Sequence, residues 1–271
     1  MRLVTFQHPH GQPQAGIVSG AQVLPVAGDM LSICAGGSAE PEIAPPVDLA
    51  DVTLLAPIPR PPKFICVGLN YRDHAAESKL EVPKVPTIFN KFTNVVIGPG
   101  ATIVLPKVST KPDYEAELAF VIGRGGRYIS EARAMDHVFG YTIVNDVSAR
   151  DFQNATSQWL MGKTFDTFAP MGPWIVTADE ISDPHSLDIS LEIGGIVLQK
   201  SNTREMIFRI PQLIEYISQV VTLEPGDVVA TGTPAGVGFA WKPPRWLKPG
   251  EETIVRIQAI GELRNPVAAE T

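Results

Sequence analysis

Glu115 and Glu117 stand two residues apart in Asp113-Tyr114-Glu115-Ala116-Glu117-Leu118-Ala119-Phe120-Val121-Ile122-Gly123, a segment that turns apolar and ends at glycine. The pattern predicts a strand, in which alternate side chains share a face. Tyr114, Ala116, Leu118, Phe120 and Ile122 then make a core face, and the two carboxylates fall together on the other beside small Ala119. Carboxylates so placed repel each other, and a cation between them relieves the repulsion. A polar strand face left in water accounts for the same spacing equally well.

Asp146 ends a second apolar run, Val138 to Val144, at the kind of strand end that projects side chains into a site. A helix opening there places Asp146, Arg150 and Gln153 at i, i+4 and i+7 on one face. That suits a metal ligand followed by two substrate contacts. It also suits a plain helix start with a surface Asp–Arg pair, worth about 0.3–1 kcal/mol. Ser148-Ala149-Arg150-Asp151 has the form of a capping box for that helix. His74 and Glu77 stand at i, i+3, where the carboxylate would fix the imidazole tautomer and raise its basicity. The same spacing also gives an ordinary surface pair. Lys163 follows Gly162, but Ser157 stands where a phosphate loop needs its first glycine, which excludes that motif. Lys163 is then a lone lysine, paired with a carboxylate or aimed at substrate charge. From Gly226 to Gly238 a strand opens into a glycine-rich loop without dinucleotide-binding spacing. Its consecutive N–H groups suit a carboxylate ligand, the alternative being a tight turn that binds nothing.

These residues need a scaffold of short strands and many turns, and the composition supplies it: 25 prolines and 23 glycines among 271 residues, with 44% apolar residues for the core. Residues 1–58 read as a small β-rich module: strands at Leu3 to Gln7, Ala15 to Ser19, Ala21 to Val26 and Val52 to Ala56, and a helical turn within Gly28 to Ala35. Pro57-Ile58-Pro59-Arg60-Pro61-Pro62 is a stiff extended connector, and residues 59–271 are expected to form the main domain. In that domain Ser130 to Met135 reads as a helix start, and Met206 to Val221 carries a helical apolar stripe despite Pro211. A net charge of −7 without a basic stripe argues against a nucleic-acid partner. Cys34 and Cys66 form neither a disulfide framework nor a metal-ligand spacing. Met1 to His8 lacks the apolar core of a signal peptide and no run approaches membrane-spanning length, so a cytoplasmic protein with no membrane partner is expected.

Five motifs together resemble the fumarylacetoacetate hydrolase family: Val67-Gly68-Leu69-Asn70-Tyr71-Arg72-Asp73-His74; Asp113-Tyr114-Glu115-Ala116-Glu117; Gly140 through Asp151; Gly162-Lys163-Thr164-Phe165-Asp166; and Ala230 through Gly238. They occur in the family's order and span roughly residues 62–266. The resemblance implies a mixed, β-rich α+β fold, a roll or distorted barrel, and a homodimer. It implies one divalent metal held by Glu115, Glu117 and Asp146, with His74, Glu77 and Lys163 catalytic and Arg150, Gln153 and Thr233 on the substrate. Arg72, beside the dyad, is grouped with those contacts. The larger members carry a fourth acidic ligand seven residues before the histidine; Val67 stands there, which points to the shorter, acylpyruvase-like branch. Oxygen-only ligation points to Mg²⁺ or Mn²⁺. The expected reaction is hydrolysis of a C–C bond in a 2,4-dioxo acid, releasing pyruvate and a carboxylic acid. The alternative is decarboxylation of a β-keto acid such as oxaloacetate through the same enolate, and a scaffold that binds metal without turnover is the non-enzymatic reading. The distal pocket is expected to draw on residues 72–86 and 239–247.

Overall fold

The apolar run after Glu115 forms the strand Ala116–Ile122, near the middle of a twelve-stranded sheet, in a computed structural model that describes all 271 residues. From one edge the order is Val47–Asp48, Gln22–Pro25, Gln14–Ser19, Arg2–Gln7, Ala169–Thr177, Val138–Asn145, Ala116–Ile122, Val228–Ala230, Phe64–Gly68 and Thr87–Asn90. Thr53–Leu55 and Val96–Ile97 pair onto it from the side. Most neighbours are antiparallel; Val228–Ala230 runs parallel to Phe64–Gly68, bringing the ends of both strands to one side. This is the β-rich mixed fold, with a small N-terminal β module, that the sequence leads one to expect.

Alternation along Ala116–Ile122 divides its side chains between two cores. Ala116, Leu118, Phe120 and Ile122 enter the larger one. There a five-stranded sheet, ordered Ile196–Asn202, Asp188–Ile193, Glu252–Ile257, Gly261–Ala269 and Ile103–Leu105, contributes Leu191, Val255 and Leu263. Ala119 and Val121 enter the smaller core with Phe64, Cys66 and Val144. The strand is therefore buried on both faces, and the face carrying the carboxylates is not the wet one that a solvated strand requires.

The N-terminal strands share that smaller core. Leu3, Ala15 and Val26 pack with Phe64 and Ala119, and Arg2–Gln7 pairs with Ala169–Thr177 in the register Leu3↔Ile175. The proline-rich connector lies packed: Ile58 is buried, and the Pro57 carbonyl accepts from Thr5 Oγ1 at 2.6 Å.

Two helical expectations change. The stripe from Met206 yields only Ile210–Ser218, because Pro211 lacks an N–H and fits the first turn rather than the interior. Ser130 to Met135 resolves into a 3₁₀ segment, Glu131–His137. No helix is long and apolar enough to cross a membrane.

Candidate metal centre and active site

The three carboxylates meet where two adjacent strands end. Glu115 precedes its strand, and the segment is pinned by backbone bonds: Glu115 N donates to Asn145 Oδ1 at 3.0 Å, and Asp146 N donates to the Glu115 carbonyl at 2.9 Å. Glu117 lies opposite Val144, one step inside the sheet. Glu115, Glu117 and Asp146 each offer an oxygen, all within 4.8 Å of one another, and all three side chains are buried.

Three cations surround them. Lys163 donates 2.7 Å bonds to both Glu115 Oε2 and Asp146 Oδ2. Gly162 permits this, since a Cβ there would sit 2.3 Å from the Gln153 nitrogen and push apart the short helices Arg150–Gln153 and Leu160–Lys163. Arg150 reaches Glu115 Oε1 at 2.6 Å, Asp113 Oδ2 at 2.8 Å and Gln153 Oε1 at 2.8 Å. Lys91 bonds Asp146 Oδ1 from the far side.

The charges decide how each group titrates. Burial works against an ionised Glu115, but Arg150 and Lys163 outweigh it and bring the carboxyl down to about 2. Burial also opposes the Lys163 ammonium, yet Asp146 and Glu115 push its pKa up, so it stays protonated. Glu117 goes the other way: burial, then Asp146 and Glu115, hold its pKa well above the carboxylate range. Its one hydrogen bond, from Gly232 N at 2.8 Å, does not offset them. An under-compensated carboxylate beside two others is the donor set that a divalent cation completes, and oxygen-only donors select a hard one. Glu115, Glu117 and Asp146 thus fit a divalent metal.

A cavity of about 330 Å³ opens over this cluster, with Glu115, Glu117, Lys163 and Arg150 in its floor and His74, Gln153 and Thr233 in its walls. Val67, Phe89, Trp159 and Phe239 make much of the rest. Phe89 stands edge-on to Trp159 and lies 5.1 Å below the Lys163 ammonium. His74, on the helix Arg72–Ser78, has Nδ1 3.4 Å from Glu77 Oε2. The glycine-rich loop does bind carboxylates, but they are the protein's own. Gly232 N donates to Glu117, Gly236 N to both oxygens of Glu77 at 3.0 and 3.1 Å, and Gly238 N and Phe239 N to Asp113.

Several placements differ from the sequence reading. Arg72 is exposed, donates to the Met206 carbonyl at 2.8 Å and takes no part in the cavity wall. Arg150 lines the cavity and also bonds Asp113, Glu115 and Gln153, one through each guanidinium nitrogen, so it holds Glu115 in place. Thr233 Oγ1 donates to the Ala116 carbonyl and accepts from Gln199 Nε2. The Ser148 capping box does not form: Ser148 pairs in a two-residue bridge with Pro112–Asp113, and Asp151 turns back to Ser109 and Thr110. Asp146 lies outside the four-residue helix, so a chain bend rather than helical spacing brings it near Arg150. Of residues 239–247 only Phe239 lines the cavity; the Trp241 indole donates to the Gly236 carbonyl.

Sequence reasoning gave no role to Lys91, Asp113 or Gln199. Lys91 follows the largely exposed strand Thr87–Asn90, between Asn90 and exposed Phe92, so nothing in the local sequence marks it as buried. Asp113 opens the acidic motif, and Gln199 joins Ala116 N to Thr233 across the two sheets.

A family model described as fumarylacetoacetate (FAA) hydrolase, C-terminal, matches residues 63–268. The chain belongs to the fumarylacetoacetate hydrolase family. A second model, Rv2993c-like, N-terminal, matches residues 1–57 of this family member. The chain is 45% identical, over 98% of its length and 91% of the relative's, to oxaloacetate tautomerase FAHD2A, mitochondrial, of Bos taurus. Among solved structures it resembles the fumarylacetoacetate hydrolase of psychrophilic Exiguobacterium antarcticum, at 35% identity and a TM-score of 0.89 with both chains fully covered. It also resembles a 5-carboxymethyl-2-hydroxymuconate delta-isomerase from Mycobacterium smegmatis, at 38% identity and TM-score 0.85, again with both chains fully covered. The protein is an enzyme of this superfamily with a site built for a divalent metal, and its likeness to tautomerases and isomerases loosens the expected tie to acylpyruvate hydrolysis.

Proposed function

We propose that this enzyme enolises a small 2-oxo acid, and that keto–enol tautomerisation of oxaloacetate is the reaction it serves. The observation that carries the reading is the state of Glu77. Both its oxygens accept from Gly236 N, and His74 stands 3.4 Å away, so the dyad is loosely joined. Hydrolysis needs a histidine strongly activated to deprotonate water; moving one proton between C3 and the 2-oxo oxygen needs only a histidine at the substrate.

Mg²⁺ or Mn²⁺ held by Glu115, Glu117 and Asp146 would supply Lewis-acid polarisation of the 2-oxo group. His74 takes a proton from C3; the C–H pair becomes the C2–C3 double bond, and the carbonyl electrons move to the 2-oxo oxygen. Lys163, kept protonated by its two carboxylates, adds positive charge at that oxygen without competing as a base. The proton then returns from His74 to the oxygen, giving the enol with no change in carbon skeleton. Phe89, Trp159 and Phe239 limit water around the reacting carbon.

The test follows the enol absorbance of oxaloacetate with Mg²⁺ or Mn²⁺, with EDTA as control, alongside deuterium exchange at C3. Metal-dependent acceleration with the four carbons intact supports the proposal; no acceleration over buffer sinks it. C–C hydrolysis of an acylpyruvate is the second reading, favoured by His74 and Glu77 being adjacent at all, and loss of diketo absorbance in the same assay detects it.

A further inference from the structure

The mechanism above leaves one buried cation unused. Lys91 follows the edge strand Thr87–Asn90 and is 2% exposed. Its ammonium donates to Asp146 Oδ1 and, at 3.0 Å, to the Val147 carbonyl. Lys163 holds the other Asp146 oxygen. One carboxylate thus carries two lysines, of which only Lys163 lines the reaction cavity. Lys91 instead borders a second groove of about 600 Å³ on the other side of Phe89.

Two buried ammonium groups on one carboxylate are a poor way to gain stability. Desolvating each ion is costly, and an apolar filling often does as well. What Lys91 does change is the charge of the donor set. With Glu117 ionised, as a bound metal requires, Asp113, Glu115, Glu117 and Asp146 face Lys91, Lys163 and Arg150, one cation fewer than the anions. Without Lys91 the excess of negative charge doubles, and Asp146 Oδ1 is free.

We propose that Lys91 is a positioning residue of the metal centre: by holding one oxygen of Asp146 and cancelling its charge, it loosens the grip on a divalent cation and leaves that cation attractive to an anionic 2-oxo acid. The substrate clause rests on the function proposed above; the metal clause rests on the carboxylate cluster alone.

The experiment titrates Mn²⁺ by electron paramagnetic resonance into the wild type, Lys91→Met and Lys91→Arg. Oxalate, a small chelating dianion, is then titrated calorimetrically into each Mn²⁺-loaded protein. A unit charge this close to the site should move binding by at least about tenfold. Lys91→Met is expected to bind Mn²⁺ more tightly and oxalate more weakly by that factor, while Lys91→Arg stays within about threefold of wild type for both. A residue that merely fills the core would lower the melting temperature equally with and without Mn²⁺ and leave both affinities in place. Unchanged or weaker Mn²⁺ binding in Lys91→Met overturns the assignment. Should that variant not fold, Lys91→Gln, whose amide can still donate to Val147, carries the same comparison. If the opposed shifts appear in a protein that turns over no 2-oxo acid, the tautomerase reading fails and the role of Lys91 stands.

Discussion

The carboxylate cluster and the helix above it are built to different tolerances. In the cluster Lys163 and Arg150 reach their partners at 2.6 to 2.8 Å, and the carboxylates lie out of water. On the helix Arg72–Ser78, His74 meets Glu77 at 3.4 Å, the Glu77 side chain is 26% exposed, and Lys79 ends the helix in the left-handed region ahead of exposed Leu80, Val82 and Val85. In the reaction proposed above, the tightly bonded half would stabilise charge and the loosely joined half would transfer the proton. Electrostatic stabilisation works best when fixed before the reaction, whereas a proton-transfer group must reach donor atoms that move.

The largest effect expected is from Glu117→Ala, which should abolish metal-dependent turnover; near-normal rates with Mn²⁺ would break the comparison at its base. His74→Asn should cost about 10²–10⁴ in kcat, read from C3 deuterium exchange. Lys163→Met should cost about 10²–10³ in kcat at saturating Mn²⁺. Glu77→Gln should cost less than about tenfold, because the amide oxygen still accepts from Gly236 N. A Glu77→Gln loss as large as that of His74→Asn would show a tight dyad and favour hydrolysis. The smallest effect is on stability. The Glu117 pKa is raised in the folded protein, so proton uptake favours folding and stability falls as pH rises above its ordinary value of 4.5. The metal-free protein should therefore melt a few degrees higher at pH 5.5 than at pH 8, roughly 2–4 °C per kcal/mol for a chain of this size. Glu117→Gln should flatten that slope.

What the sequence made legible was local. Strand alternation placed Ala116, Leu118, Phe120 and Ile122 on one core face, and motif order brought Glu115, Glu117, Asp146, Lys163 and His74 into one region. What it hid was long-range pairing. Nothing near Arg150 announces that Asp113 and Glu115 pair with its guanidinium, and Lys91 meets Asp146 through tertiary packing between residues 55 apart in the chain. The N-terminal strands look separable in composition, but whether they add to an existing sheet depends on an unpaired edge far along the chain, at Ala169–Thr177. Pro211 misled in the other direction: periodicity extended the helix by a turn that proline chemistry assigns to its start.

The glycine-rich loop has one further consequence, for how such a site could be remodelled. It fastens Glu117, Glu77 and Asp113 with main-chain N–H groups, and a Cβ would sit 2.8 Å from Asn70 Cβ at Gly232 and 2.1 Å from the Leu198 carbonyl at Gly236. Side-chain replacement therefore has almost no purchase on this half of the pocket. Adaptation to a longer or bulkier ligand is left to side chains elsewhere in the lining, such as exposed Leu80, which bonds none of these anchors. The molecule separates the part that must stay the same from the part that is free to explore, and it does so by building the first from backbone.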